Sequence, residues 1–156
     1  MKKLIISLIL VGACHSTPPV TTSRLSVGGQ PNSASGQIGA ADPTTAVRGF
    51  LAAAKATDLR AMSALWGDQD ALARDRFSTD ELQKRELYVM RCLRHDSFDI
   101  IGDAPSLNGS REMVVQMSLG ELTRSANFEV VRGPENRWYV RDVDVKALQD
   151  ICMQRS

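Results

Sequence analysis

The spacing of apolar residues divides the chain into three regimes. Residues 4–11 (LIISLILV) form an apolar run broken only by Ser7. From residue 15 to residue 42 no apolar period is visible. Ser, Thr, Pro and Gly dominate there, and Arg24 and Asp42 are the only full charges. Helical spacing then begins. Val47, Phe50, Leu51 and Ala54 fall on one face, and Asp42-Pro43 supplies an N-cap and a first-turn proline. Thr57-Asp58 offers a second cap, for a stripe of Leu59, Met62, Leu65 and Trp66 that Gly67 would stop. Residues 68–76 are charged and read as loop. Ser78-Thr79-Asp80-Glu81 fits a capping box. It opens a third helix running to about His95, with Leu82, Val89, Cys92 and Leu93 inward.

Beyond His95 the period changes to two. Phe98 and Ile100 alternate in a short strand, and Asn108-Gly109 is the strongest hairpin signal in the chain. Met113, Val115, Met117 and Leu119 alternate with polar or smaller residues up to a turn at Gly120-Glu121. Phe128 and Val130 mark a further strand, and Gly133-Pro134-Glu135-Asn136 turns the chain again. Trp138 and Val140 face one way, Tyr139 and Arg141 the other. Asp144 can cap a last short helix carrying Leu148 and Ile151. Helices followed by antiparallel hairpins predict an α+β fold, with N-terminal helices on one face of a curved antiparallel sheet and a short C-terminal helix. Residues 43–156 are expected to form this single domain. Trp138 is expected between the sheet and the first helix, near Phe50.

The N-terminal run changes the picture. Lys2-Lys3 precedes it, and it is too short for a bilayer span of about 20 residues, so residues 1–13 read as a signal peptide. Val11-Gly12-Ala13-Cys14 resembles the lipobox of bacterial lipoproteins. That resemblance implies cleavage before Cys14, acylation of its thiol and amine, and a stable anchor made of several acyl chains. Residues 14–42 then become the lipidated cysteine and a disordered tether, with an end-to-end distance of about 30 Å. The expected location is the bacterial cell envelope, lipid-anchored and periplasm-facing. His15, rather than an Asp after the cysteine, slightly favours the outer membrane.

The domain carries a second resemblance. Ala46-Val47, Phe50-Leu51, Ala54, Asp58 and Leu65 resemble the opening helices of the nuclear-transport-factor-2-like superfamily. Gly133 followed by Trp138-Tyr139-Val140 resembles the last strand of its bacterial envelope members. The resemblance implies a cone-like half-barrel with a pocket between sheet and helices. The superfamily holds isomerases, dehydratases, ligand binders and interaction modules, so it does not choose a function.

Charge and motifs narrow the chemistry. The chain has 19 basic and 18 acidic residues; Lys2 and Lys3 leave with the leader, so the domain and tether keep 17 basic against 18 acidic. That balance gives no electrostatic reason to expect nucleic acid or anionic lipid as a partner. No phosphate-binding glycine loop, H-E-x-x-H or G-x-S-x-G occurs, and no cofactor is implied. Cys92 and His95 have C-x-x-H spacing, half a zinc site at most, and His95 reads more simply as a favourable group near a helix C-terminus. Asp68, Asp70 and Asp75 lack the Gly and Glu of a calcium loop and read as a solvated acidic segment. Asp142 and Asp144 read as a strand end and a helix cap. Of residue types used as acids and bases in the superfamily, His95, Asp99 and Tyr139 are the candidates, without a positional match to any motif.

With Cys14 lipidated, Cys92 and Cys152 remain as a pair in an oxidising compartment. A disulfide between them would tie the C-terminus to the helical layer; two separate buried thiols are the alternative. The expectation for function is a non-catalytic envelope lipoprotein, held to the bilayer through Cys14, whose domain binds a small apolar ligand or a protein partner. A small lyase or isomerase working in the cone is the alternative. An interior filled by Met, Leu and Val would favour the first, and convergent ionisable groups in an open pocket the second.

Overall fold

The first helix forms where its cap predicts. The Asp42 carboxylate accepts from Thr45 N at 2.8 Å and from Thr45 Oγ1 at 2.7 Å, which satisfies an otherwise orphaned first-turn amide. The computed structural model describes residues 38–154. The leader, Cys14 and the tether up to residue 37 lie outside the described residues. Helix α1 spans Pro43–Ala56 and ends at Thr57 in the left-handed region. Helix α2 spans Leu59–Leu65 and is capped by Asp58, whose carboxylate accepts from Ala61 N at 2.9 Å. Helix α4 spans Thr79–Cys92 behind its Ser78 cap.

The sheet has four antiparallel strands in the order β1-β2-β3-β4, so it is an open meander. They span Ser97–Pro105, Arg111–Leu119, Leu122–Arg132 and Trp138–Val143. A two-residue turn at Gly120, with φ +56°, joins β2 to β3. The Asn108-Gly109 signal gives a hairpin by a longer route than expected. Its loop has five residues, closed by Ser106 N donating to Ser110 O at 2.9 Å, with Asn108 and Gly109 both at positive φ. Register shifts at Ile100/Gly102 and Glu129/Val130 bend the outer strands. The first leaves Ile101 without an opposite residue, and its side chain is exposed.

The core lies between α1 and the inward sheet face. Met113, Val115 and Met117 of β2, Phe128 and Val130 of β3 and Val140 of β4 pack with Val47, Phe50 and Leu51, and all are fully buried. With few aromatics available, methionine fills the space: Met62, Met90, Met113 and Met117 are all buried, and the flexible thioether adapts to irregular gaps. Helix α5, Gln149–Met153, closes the chain against α4. Leu148 and Ile151 are fully buried there, and Cys152 is joined to Cys92 by a disulfide.

Four details differ from the sequence reading. First, residues 38–42 were expected to belong to the tether, yet this segment packs on the domain. Ala40 N donates to Trp138 O and Trp138 N to Ala40 O, both at 2.9 Å, and Gly39 N donates to Ala64 O at 2.8 Å. Gly39 has φ +68°, and a Cβ there would stand 2.6 Å from Arg137 Cβ. Second, the segment at 68–76 is not all loop. Ala73–Arg76 form a short helix, α3, and Leu72 is buried with Val131 and Tyr139 in a small cluster on the sheet's other face. Third, α4 stops at Cys92 rather than near His95, and Asp144 caps the turn before α5, accepting from Ala147 N at 3.3 Å, rather than α5 itself.

Fourth, Trp138 is only partly buried, with the Arg132 guanidinium 5.1 Å from its ring centroid. The tryptophan that meets Phe50 is Trp66, edge-to-face at 6.0 Å. The strand alternation nevertheless holds, since Val140 enters the main core and Tyr139 the small cluster. Trp138 sits at the strand's first position.

Two expected outcomes follow from this packing. Phe128→Ala should cost about 3–5 kcal/mol, as aromatic truncations in cores do, whereas Trp138→Ala should cost only about 1–2 kcal/mol; urea denaturation of each variant decides the order. The disulfide joins residues 60 apart. By loop-closure entropy its replacement in Cys92→Ala/Cys152→Ala should lower stability by up to about 4 kcal/mol. Comparing the variant with the oxidised parent in guanidinium chloride measures that loss.

Candidate functional site

Residues named from the sequence as acids and bases do not converge. Tyr139 lies on β4 and Asp99 on β1, the opposite edges of the sheet. Three strand spacings, about 14 Å, separate their strands, and the register sets Asp99 level with Ser125 but Tyr139 level with Val131, further along β3. Asp99 is exposed. Tyr139 is fully buried on the face away from α1, and its hydroxyl donates to Pro134 O at 3.3 Å. Burial, partly opposed by nearby arginines, raises its phenol above the ordinary range. His95 is buried after α4, with Nδ1 2.7 Å from Leu93 O and the ring edge-to-face with Phe98 at 5.3 Å. The space between helices and sheet, where a catalytic pocket would lie, is filled by the side chains of the core.

The metal candidates are also placed. Cys92 of the C-x-x-H pair is in the disulfide. Asp68 turns its carboxylate onto its own loop, where Oδ1 accepts from Asp70 N at 2.9 Å, Ala71 N at 3.0 Å and Arg76 Nη2 at 2.9 Å. Desolvation alone would raise its pKa, but these donors and the Arg76 charge bring it below the usual carboxylate range. Asp70 and Asp75 are exposed. Among the described residues no group of three or more His, Cys, Asp or Glu is arranged to hold a metal ion.

A cleft of about 680 Å³ opens elsewhere, where the C-terminal ends of α1 and α4 come together. Ala54, Leu87, Met90 and Leu119 give it an apolar lining, and Lys55 and Arg91 stand on its walls. Both cations lie in the last turn of their helices, where a positive charge offsets the macrodipole. Lys55 Nζ donates to Asp96 O at 2.7 Å. Arg94, also on the wall, donates to Ile151 O and Gln154 O and so pins the C-terminal segment. Among the described residues no Asp or Glu lines the cleft. Leu87 keeps 48% of its surface exposed at the mouth.

One ionisable group escaped the sequence reading. Glu86 on α4 is only 3% exposed, and its Oε1 lies in hydrogen-bond contact with Ser63 Oγ of α2. The Ser63 hydroxyl also reaches Leu59 O at 2.9 Å. One hydroxyl hydrogen serves one acceptor. Ser63 donates that hydrogen to Glu86 Oε1, with Leu59 O as the competing acceptor. Burial pushes the Glu86 carboxyl above its ordinary value, and the Ser63 bond opposes that rise. The available signal was position: Glu86 stands four residues from Leu82 and four from Met90, on the apolar stripe.

Because the folded form holds the Glu86 proton more tightly than the unfolded chain, stability falls as pH rises through the ordinary carboxylate value toward the raised one. Glu86→Gln should therefore stabilise the protein near neutral pH, on the order of 1 kcal/mol, with the gain shrinking below about pH 4. Thermal melts of both proteins across that range check it; an equal gain at every pH contradicts it. Set against known proteins, the chain matches no family model, no curated protein and no solved structure.

Proposed function

We propose that this protein is a lipid-anchored, periplasm-facing module of the bacterial envelope whose domain binds a small ligand or a protein partner and catalyses nothing. The observation that carries this reading is the filled interior. Methionine, leucine, valine and phenylalanine close the space between α1 and the sheet, which leaves binding to the outer surface. The lyase or isomerase reading would need acids and bases converging on an open pocket, and His95, Asp99 and Tyr139 point to three different surroundings.

On this reading the fold is a filled version of the cone-like half-barrel of the nuclear-transport-factor-2-like superfamily. The order of elements and the two strand bulges support it. Anchoring falls to Cys14 with its lipobox. No helix among the described residues is long and apolar enough to cross a membrane, so within them nothing duplicates that role as a spanning helix.

Cys14→Ser should abolish incorporation of a fatty-acid analogue and move the protein out of the membrane fraction. Metabolic labelling followed by fractionation checks both. Unchanged membrane association of the variant would overturn the anchored reading.

A further inference from the structure

The cleft between the ends of α1 and α4 combines two features that helix termini alone do not require. Capping electrostatics explains why Lys55 and Arg91 sit in last turns. It does not explain why they flank one concavity lined by Ala54, Leu87, Met90 and Leu119, with no Asp or Glu among its described lining residues. Lys55 gives one hydrogen to Asp96 O and keeps two. Arg91 makes no ion pair among the described residues, a state it shares with other arginines such as Arg48 and Arg132. Leu87, next along the wall, is half-exposed on a helix whose other outward residues are largely charged.

We infer that this cleft binds a single-chain anionic amphiphile, its carboxylate or phosphate head on Arg91 and Lys55 and its tail along Leu87, Met90, Ala54 and Leu119. This deepens the binding-module reading and rests on it. An Arg fork and a Lys point charge on the walls of one cleft suit an anionic head. The volume of about 680 Å³ lies within the range of small-molecule sites. The apolar lining explains why the head would carry a tail: an inorganic anion would leave Leu87 and Leu119 in water, and a neutral hydrocarbon would leave two cations without use. Arg94 belongs to the wall rather than the head site, because its guanidinium is spent on Ile151 O and Gln154 O.

The test titrates the full chain, purified in a nonionic detergent, with octanoate, octyl phosphate, octan-1-ol and acetate. NMR follows the methyl groups of Ala54, Leu87, Met90 and Leu119. Octanoate or octyl phosphate should shift these methyls; acetate should not, and octan-1-ol should bind about tenfold or more weakly. Preference for octanoate identifies a free acid as the occupant, and preference for octyl phosphate a lipid head; either supports the proposal. Lys55→Glu/Arg91→Glu should lose the octanoate response by about tenfold while retaining that to octan-1-ol, which also shows that the variant is folded. Unmoved methyls with both anions, or octan-1-ol binding as tightly as octanoate, would overturn it. Membrane release of Cys14→Ser does not involve the cleft, so either idea can fail alone.

Discussion

The rest of the structure depends on α1 lying across the inward face of β2, β3 and β4. Val47, Phe50 and Leu51 supply the helix side of that seam, and Met113, Val115, Met117, Phe128, Val130 and Val140 the sheet side. Each of these side chains is removed from water, and the driving force is proportional to the apolar area so removed. A four-stranded open sheet has no other way to bury that face. The short elements follow from it. Helix α2 turns back beside α1, α4 buries Leu82 and Met90, and α5 is held to α4 by the disulfide together with its buried Ile151.

A seam packed this fully has a functional implication. A site that transforms a substrate needs polar groups aimed at a shared volume, and here the volume enclosed by the fold is occupied by its own hydrocarbon. The polar groups that do lie inside serve the fold. Glu86 links α4 to α2 through Ser63, His95 braces the turn after α4, and Tyr139 ties the loop before β4 to the sheet. At the surface, the cleft at the helix ends brings an apolar lining beside two cations.

Much of the fold was legible because its signals are local. Asp42 and Asp58 cap the first two helices and Ser78 caps α4 as the sequence indicates, and the alternation through Met113, Val115 and Met117 marks β2. What was not legible depends on distant partners. Residues 38–41 look like tether by composition, and only the edge of β4, far along the chain, gives them a place. The four-residue helix α3 exists because Leu72 finds Val131 and Tyr139. Both tryptophans are aromatic residues beside a core, but strand position decides that Trp66 meets Phe50 and Trp138 stays at the rim. Glu86 was hidden because a charged residue in a charged helix gives no contrast. The cleft was invisible because its lining comes from four separate stretches of sequence.

The bridges that hold residues 38–41 and Trp66-Gly67 against β4 also settle how the sheet meets other molecules. Ala40 pairs with Trp138, Trp66 pairs with Val140, and Gly67 N donates to Val140 O, so β4 offers little free edge. Among the described residues β1 pairs only with β2. Its open side carries the features that discourage strand addition: Asp99 and Asp103 along its length, a bulge at Ile101 and Pro105 at its end. Wherever two copies of such a domain meet, the hazard is sheets zipping together edge to edge. Here one border is sealed by the chain's own entry segment, and the other is made a poor template by charge, a kink and a missing amide hydrogen.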